Sequence, residues 1–126
     1  MIEGQLWAKI RDYSKVLHWI RVDTVTPPGF SDAVGVCLSG IVLMELKVGT
    51  CWSEQLDLRD SQLRFNKTLK GKTTALFHLK YNYVAEEARL TQIYTKDGEE
   101  RTWSFYKTSW KDLVYTIENT IYESLK

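Results

Sequence analysis

The stretch Ala33-Val34-Gly35-Val36-Cys37-Leu38-Ser39-Gly40-Ile41-Val42-Leu43-Met44-Glu45-Leu46-Lys47-Val48 decides the reading of the fold. Two apolar, β-branched runs, 32–38 and 41–48, flank Ser39-Gly40, a pair that favours a two-residue hairpin turn. Side chains of a strand alternate between its faces, so Glu45 and Lys47 share one face and Leu46 takes the other. Charges at the end of an apolar strand are costly to bury unless they are paired or hold an ion. Just upstream, Pro27-Pro28-Gly29 stops regular structure in a rigid turn and delivers Asp32 to the start of the first run.

Outward from the hairpin, helices and strands alternate. Ile2, Leu6, Ile10 and Tyr13 recur at helical spacing and predict an amphipathic helix over 2–15. Val16 to Val22 is β-branched and aromatic and reads as a strand. After a loop over 49–55, Leu58, Leu63, Phe65 and Leu69 predict a second helix, opened at Asp57 or Leu58 and closed by Gly71. Thr73 to Tyr81 reads as a buried strand, followed by strands at Ala88–Thr95 and Arg101–Lys107 across Lys96-Asp97-Gly98-Glu99-Glu100. Ser109 is placed to cap a last helix carrying Leu113, Ile117, Ile121 and Leu125. The order is helix, three strands, helix, strand, then a hairpin and a helix. It predicts one α/β domain over 1–126, with a core at 1–81 and an extension at 82–126.

Composition bounds the function. Hydrophobic and charged fractions are those of an ordinary globular domain. No run of about 18 apolar residues provides a membrane span, and the N-terminus lacks the pattern of a secretory signal, so an intracellular, cytoplasmic protein is expected. Cys37 and Cys51 are expected to be reduced, and His18 and His78 make no zinc spacing with them. No glycine-rich phosphate loop occurs, which argues against an NTPase. Neither cysteine stands in a recognisable nucleophile setting. Trp52, Trp103 and Trp110 offer rings for stacking bases, with packing into the core as the commoner use of such residues. Net charge is only +1, yet Arg59, Arg64, Lys67, Lys70, Lys72 and Lys80 cluster within 59–80 against Asp60 alone. Such a cluster neutralises several phosphates, or serves as a solvated face.

Asp32 and Glu45 fall on neighbouring strands, where directly opposed Cβ atoms lie about 5 Å apart. Two carboxylates, completed by water, substrate oxygens and the Leu46 carbonyl, form a donor set for Mg²⁺ or Mn²⁺. An ion held there lowers the pKa of its water and neutralises charge on a phosphodiester. Lys47 on the same face is placed to assist the attacking water or stabilise developing charge. The plain alternative is a half-buried carboxylate salt-bridged to Lys47 at a sheet edge.

The sequence Pro28-Gly29-Phe30-Ser31-Asp32, a hairpin, Glu45-Leu46-Lys47, a loop, then Leu58-Arg59-Asp60-Ser61-Gln62 resembles the PD-(D/E)XK nucleases. Within them it looks most like the VRR-NUC and phage Holliday-junction-resolvase-like group. The resemblance covers residues 1–80 and implies a restriction-endonuclease-like core. It also implies that Asp32 and Glu45 hold the metal, that Lys47 is the catalytic lysine and that Gln62 helps arrange the active site. Glu3 matches a first-helix acid that approaches the metal in relatives; complementing the helix dipole is its alternative. Arg21 is the counterpart of an upstream basic residue, with Asp23 as an alternative ion-pair partner. Ser31 departs from the family's proline before the Asp, a backbone device rather than a chemical participant.

The function the resemblance implies is a metal-dependent DNA endonuclease acting on branched DNA in phage-type replication or repair. Relatives that resolve four-way junctions act as homodimers, which makes a homodimer a candidate partner state here. Arg59, Arg64, Lys67, Lys70 and Lys72 would track the DNA backbone. The alternative is a non-catalytic nucleic-acid- or protein-binding module on the same fold.

Overall fold

The computed structural model describes residues 3–22, 32–37, 40–52, 60, 61, 64, 67, 75–93, 100–107 and 109–124. Its described elements are an N-terminal helix (Glu3–Tyr13), β1 (His18–Arg21), β2 (Ala33–Cys37), β3 (Gly40–Gly49), β4 (Ala75–Asn82), β5 (Glu87–Ile93), β6 (Arg101–Tyr106) and a C-terminal helix (Trp110–Ser124). Positions 60, 61, 64 and 67, between β3 and β4, are also helical. The strands form one six-stranded mixed sheet in the order β1-β2-β3-β4-β5-β6. Every neighbouring pair is antiparallel except β3 and β4, which run parallel.

Helices cover one sheet face. Leu6 and Ile10 of the first helix and Leu113, Val114, Ile117 and Ile121 of the last are buried at i, i+3/i+4 spacing. They pack on Val42, Met44 and Leu46 of β3, Phe77 and Leu79 of β4 and Leu90 of β5. Tyr13, expected in the apolar stripe, is exposed, so the stripe of the first helix ends at Ile10. Ile2 and Leu125 lie outside the described residues.

The ends of these elements have local causes. The Asp112 N–H donates to Ser109 Oγ at 3.4 Å and the Leu113 N–H to the Ser109 carbonyl at 3.0 Å, as the predicted cap requires. The first strand is shorter than its sequence suggests. Lys15, Val16 and Leu17 donate their backbone N–H groups to the Glu118 carboxylate, at 3.2, 2.6 and 3.1 Å. Committed to a side chain, those amides join no ladder, and β1 begins at His18. The hairpin also shifts by one residue. Gly40, expected in the turn, opens β3 opposite Cys37 with a φ of 151°, a backbone conformation that favours glycine. At the β4–β5 turn, Asn82 Oδ1 accepts the N–H groups of Val84 and Ala85 at 3.1 and 3.0 Å, an Asx-type closure.

Candidate active site

The sheet face opposite the two helices carries the candidate site. Register places Leu43, Leu76 and Ile93 side by side across β3, β4 and β5. One step along the strands on the same face comes the row Glu45, His78, Thr91 and Thr102, and one step further Lys47, Lys80, Arg89 and Ser104. The face thus passes from apolar to polar to basic within about 14 Å, two residue pairs at about 3.4 Å per residue. The apolar row forms a small core of its own with Val34.

Asp32 belongs to the polar row. Ala33 pairs with Met44, so the next step of the antiparallel ladder sets Asp32 opposite Glu45. The Asp32 carbonyl accepts the Val22 N–H at 2.9 Å, holding it against the end of β1. Its carboxylate reaches across to β3, where Oδ2 accepts the Leu46 N–H at 2.8 Å. This short bond to an anion seats the carboxylate beside the Glu45–Leu46 peptide. Glu45 is only 1% exposed and His78 only 5%. Their atoms Oε1 and Nε2 are buried and make no hydrogen bond, although both residues have interaction partners. Lys47 and Lys80 are half-buried. Thr91 and Thr102 join their hydroxyls at 3.1 Å across β5 and β6.

At the basic end, the Arg89 guanidinium lies 3.8 Å from the centroid of the Trp52 ring, a cation–π contact. Its Nε faces Glu87 Oε1 at 3.6 Å. Trp103 and Trp110, the other two candidate stacking rings, are half-buried and pack against the helix-side core.

The structure brings together Asp32, the Leu46 peptide, Glu45 and Lys47. Glu3 meets Arg21, with Nη2 and Oε2 3.9 Å apart. Arg64 and Lys67 are exposed at helical positions. Gln62, Arg59, Lys70 and Lys72 lie outside the described residues, as does Asp23. Among the described residues, no group of three or more His, Cys, Asp or Glu side chains gathers as a metal site. The two carboxylates, with the Leu46 carbonyl, would give a hard cation such as Mg²⁺ oxygen ligands, and His78 beside Glu45 adds a nitrogen to the same row. Cys37 and Cys51 are free thiols, half-buried and exposed respectively. No described helix is long and apolar enough to cross a membrane.

Sequence reasoning missed His78, Thr91, Lys80 and Arg89 as neighbours of the site. Alternation along β4 and β5 carried the signal, but only the register joins it to Glu45 and Lys47. Compared with known proteins, the chain matches no family model and no curated protein.

Proposed function

We propose that this chain is a divalent-cation-dependent nuclease whose reacting centre is built on Asp32, Glu45 and Lys47. The observation that carries the reading is the 2.8 Å bond from the Leu46 N–H to Asp32 Oδ2, which fixes one carboxylate at the strand bearing the other and the lysine. The element order supports it too: a helix, three antiparallel strands, a connection with helical positions and a parallel fourth strand are what a restriction-endonuclease-like core would have.

In this reading Asp32 and Glu45, with the Leu46 carbonyl, hold Mg²⁺ or Mn²⁺. The ion, when bound, acidifies a water and offsets charge on the phosphodiester. Hydrogen bonding to Leu46 orients the Asp32 carboxylate and leaves it acceptor capacity with which it would hold the ion. Burial of Glu45 strengthens its attraction for a cation, because fewer waters screen it. Lys47, one pair along the same face, donates to the attacking water or to a phosphoryl oxygen. Branched DNA as substrate, a homodimer as the working form, Gln62 as an arranging residue and a phage-type repair role come with the family resemblance and belong to this proposal. Glu3, whose carboxylate faces Arg21 at 3.9 Å, comes with the family resemblance as a further ligand.

A binding module without chemistry is the second reading. Burial of Glu45 favours it, because a carboxylate 1% exposed needs some opening before ion and substrate meet it. Cleavage separates the two. Glu45→Ala and Lys47→Ala should each abolish cutting while the circular dichroism spectrum and DNA binding persist; cutting retained by both would sink the assignment.

A further inference from the structure

The basic row runs past Lys47, and nothing in the proposed chemistry uses its continuation. Register sets Lys80 beside Lys47 and Arg89 beside Lys80 on three successive strands. Strands are spaced about 4.8 Å apart, so Lys47 and Arg89 stand about 10 Å apart at the backbone. One nucleic-acid strand advances about 3.4 Å per nucleotide, so such a row is long enough for two phosphates. Long cationic stems lengthen its reach further.

Arg89 is also held in place. Trp52 lies against its guanidinium plane at 3.8 Å and Glu87 faces Nε, while the side chain remains 40% exposed. A guanidinium ordered before binding loses less freedom when it grips an anion, and its planar fork matches phosphate oxygens. Thr91, Thr102 and Ser104 continue the face with hydroxyls, and Glu87, one pair along β5 from Arg89 on the same face, pairs with its guanidinium.

We infer that Lys80 and Arg89 bind the phosphate next to the scissile one, with Trp52 as the positioning residue for Arg89. Resting on the nuclease reading, this names the ligand as a continuous nucleic-acid strand of at least two phosphates, laid across β3, β4 and β5. It also fixes a direction: the strand crosses the sheet from Lys47 towards Arg89, along the row rather than along any one β-strand.

The test measures binding of a labelled oligonucleotide duplex by anisotropy in EDTA, from 50 to 200 mM KCl, and cleavage of the same duplex in Mg²⁺. Lys80→Ala and Arg89→Ala should each lower the slope of log K against log salt by about 1 and weaken binding roughly 5- to 20-fold. In cleavage they should raise KM more than they lower kcat. Trp52→Leu should reproduce part of the Arg89 loss, with Trp52→Phe restoring it, and thermal melts check that each variant is folded. If the wild type cuts DNA while folded Lys80 and Arg89 variants keep its salt slope and KM, this inference fails and the nuclease reading stands. Binding lost in those variants of a wild type that never cuts would retain the phosphate row and discard the chemistry. A wild type that neither binds nor cuts overturns both.

Discussion

Removing the Glu118 carboxylate should loosen the junction between the two helices and β1. Glu118 sits on the C-terminal helix and accepts three consecutive backbone N–H groups, from Lys15, Val16 and Leu17, across more than a hundred residues of sequence. A hydrogen bond to a charged group contributes about 1.5–3 kcal/mol when buried. Two of these three amides are exposed and the third half-buried, so water replaces most of what is lost. A net cost of about 2 kcal/mol for Glu118→Ala follows, rather than three full bonds, within the usual range for losing a cap. Glu118→Gln keeps one acceptor oxygen and should cost about half as much. For a domain of this size, 1 kcal/mol moves Tm by about 4 °C, so Glu118→Ala should melt roughly 8 °C below the wild type. Hydrogen exchange would locate the effect, with amides 15–17 losing protection first. A Tm change under about 2 °C, or unchanged protection at those amides, would refute the reasoning.

Other outcomes follow from single contacts. At Gly35 an added Cβ would meet the Trp19 ring at 3.0–3.1 Å, and that ring is tied by its Nε1 donating to Ser14 Oγ at 2.6 Å. Gly35→Ala should therefore destabilise by about 1–3 kcal/mol through overpacking, read in urea titrations, and pairing it with Trp19→Leu should recover part of the loss. Tyr81, buried against Trp110 with ring centroids 5.0 Å apart, has its phenol pKa raised, first by desolvation and then by the charge of Glu86. The unfolded phenol ionises near pH 10, so this contribution is intact below pH 10 and is lost as pH rises towards the folded value. Between pH 9 and 11 the wild type should lose more stability than Tyr81→Phe in denaturant titrations; parallel curves would contradict this.

Local signals in the sequence reached most of the element order. Ser109 as a cap, the apolar spacing of Leu113, Ile117 and Ile121, and the β-branched runs at 32–38 and 41–48 each act within a few residues, and the structure has a helix at Trp110–Ser124 and strands at Ala33–Cys37 and Gly40–Gly49. Errors arose where a distant residue decided. Val16 reads as strand, yet Glu118 claims its amide; Ser39-Gly40 reads as a turn, yet cross-strand pairing draws Gly40 into β3. At the site, alternation was enough to put Glu45 with Lys47 and Leu46 opposite. The reach of the Asp32 carboxylate to the Leu46 amide fits the expected adjacency of Asp32 and Glu45. His78, Lys80 and Arg89 were illegible as a group because a parallel register between strands some thirty residues apart is set by packing, not by local sequence.

Incubation of the purified chain with a four-way DNA junction and a linear duplex, in Mg²⁺, Mn²⁺ or EDTA and beside Glu45→Ala, tests the nuclease reading most directly. The account predicts cuts that require the metal, favour the junction and vanish in the variant. Intact DNA under every metal, or cutting that Glu45→Ala leaves unchanged, would contradict it.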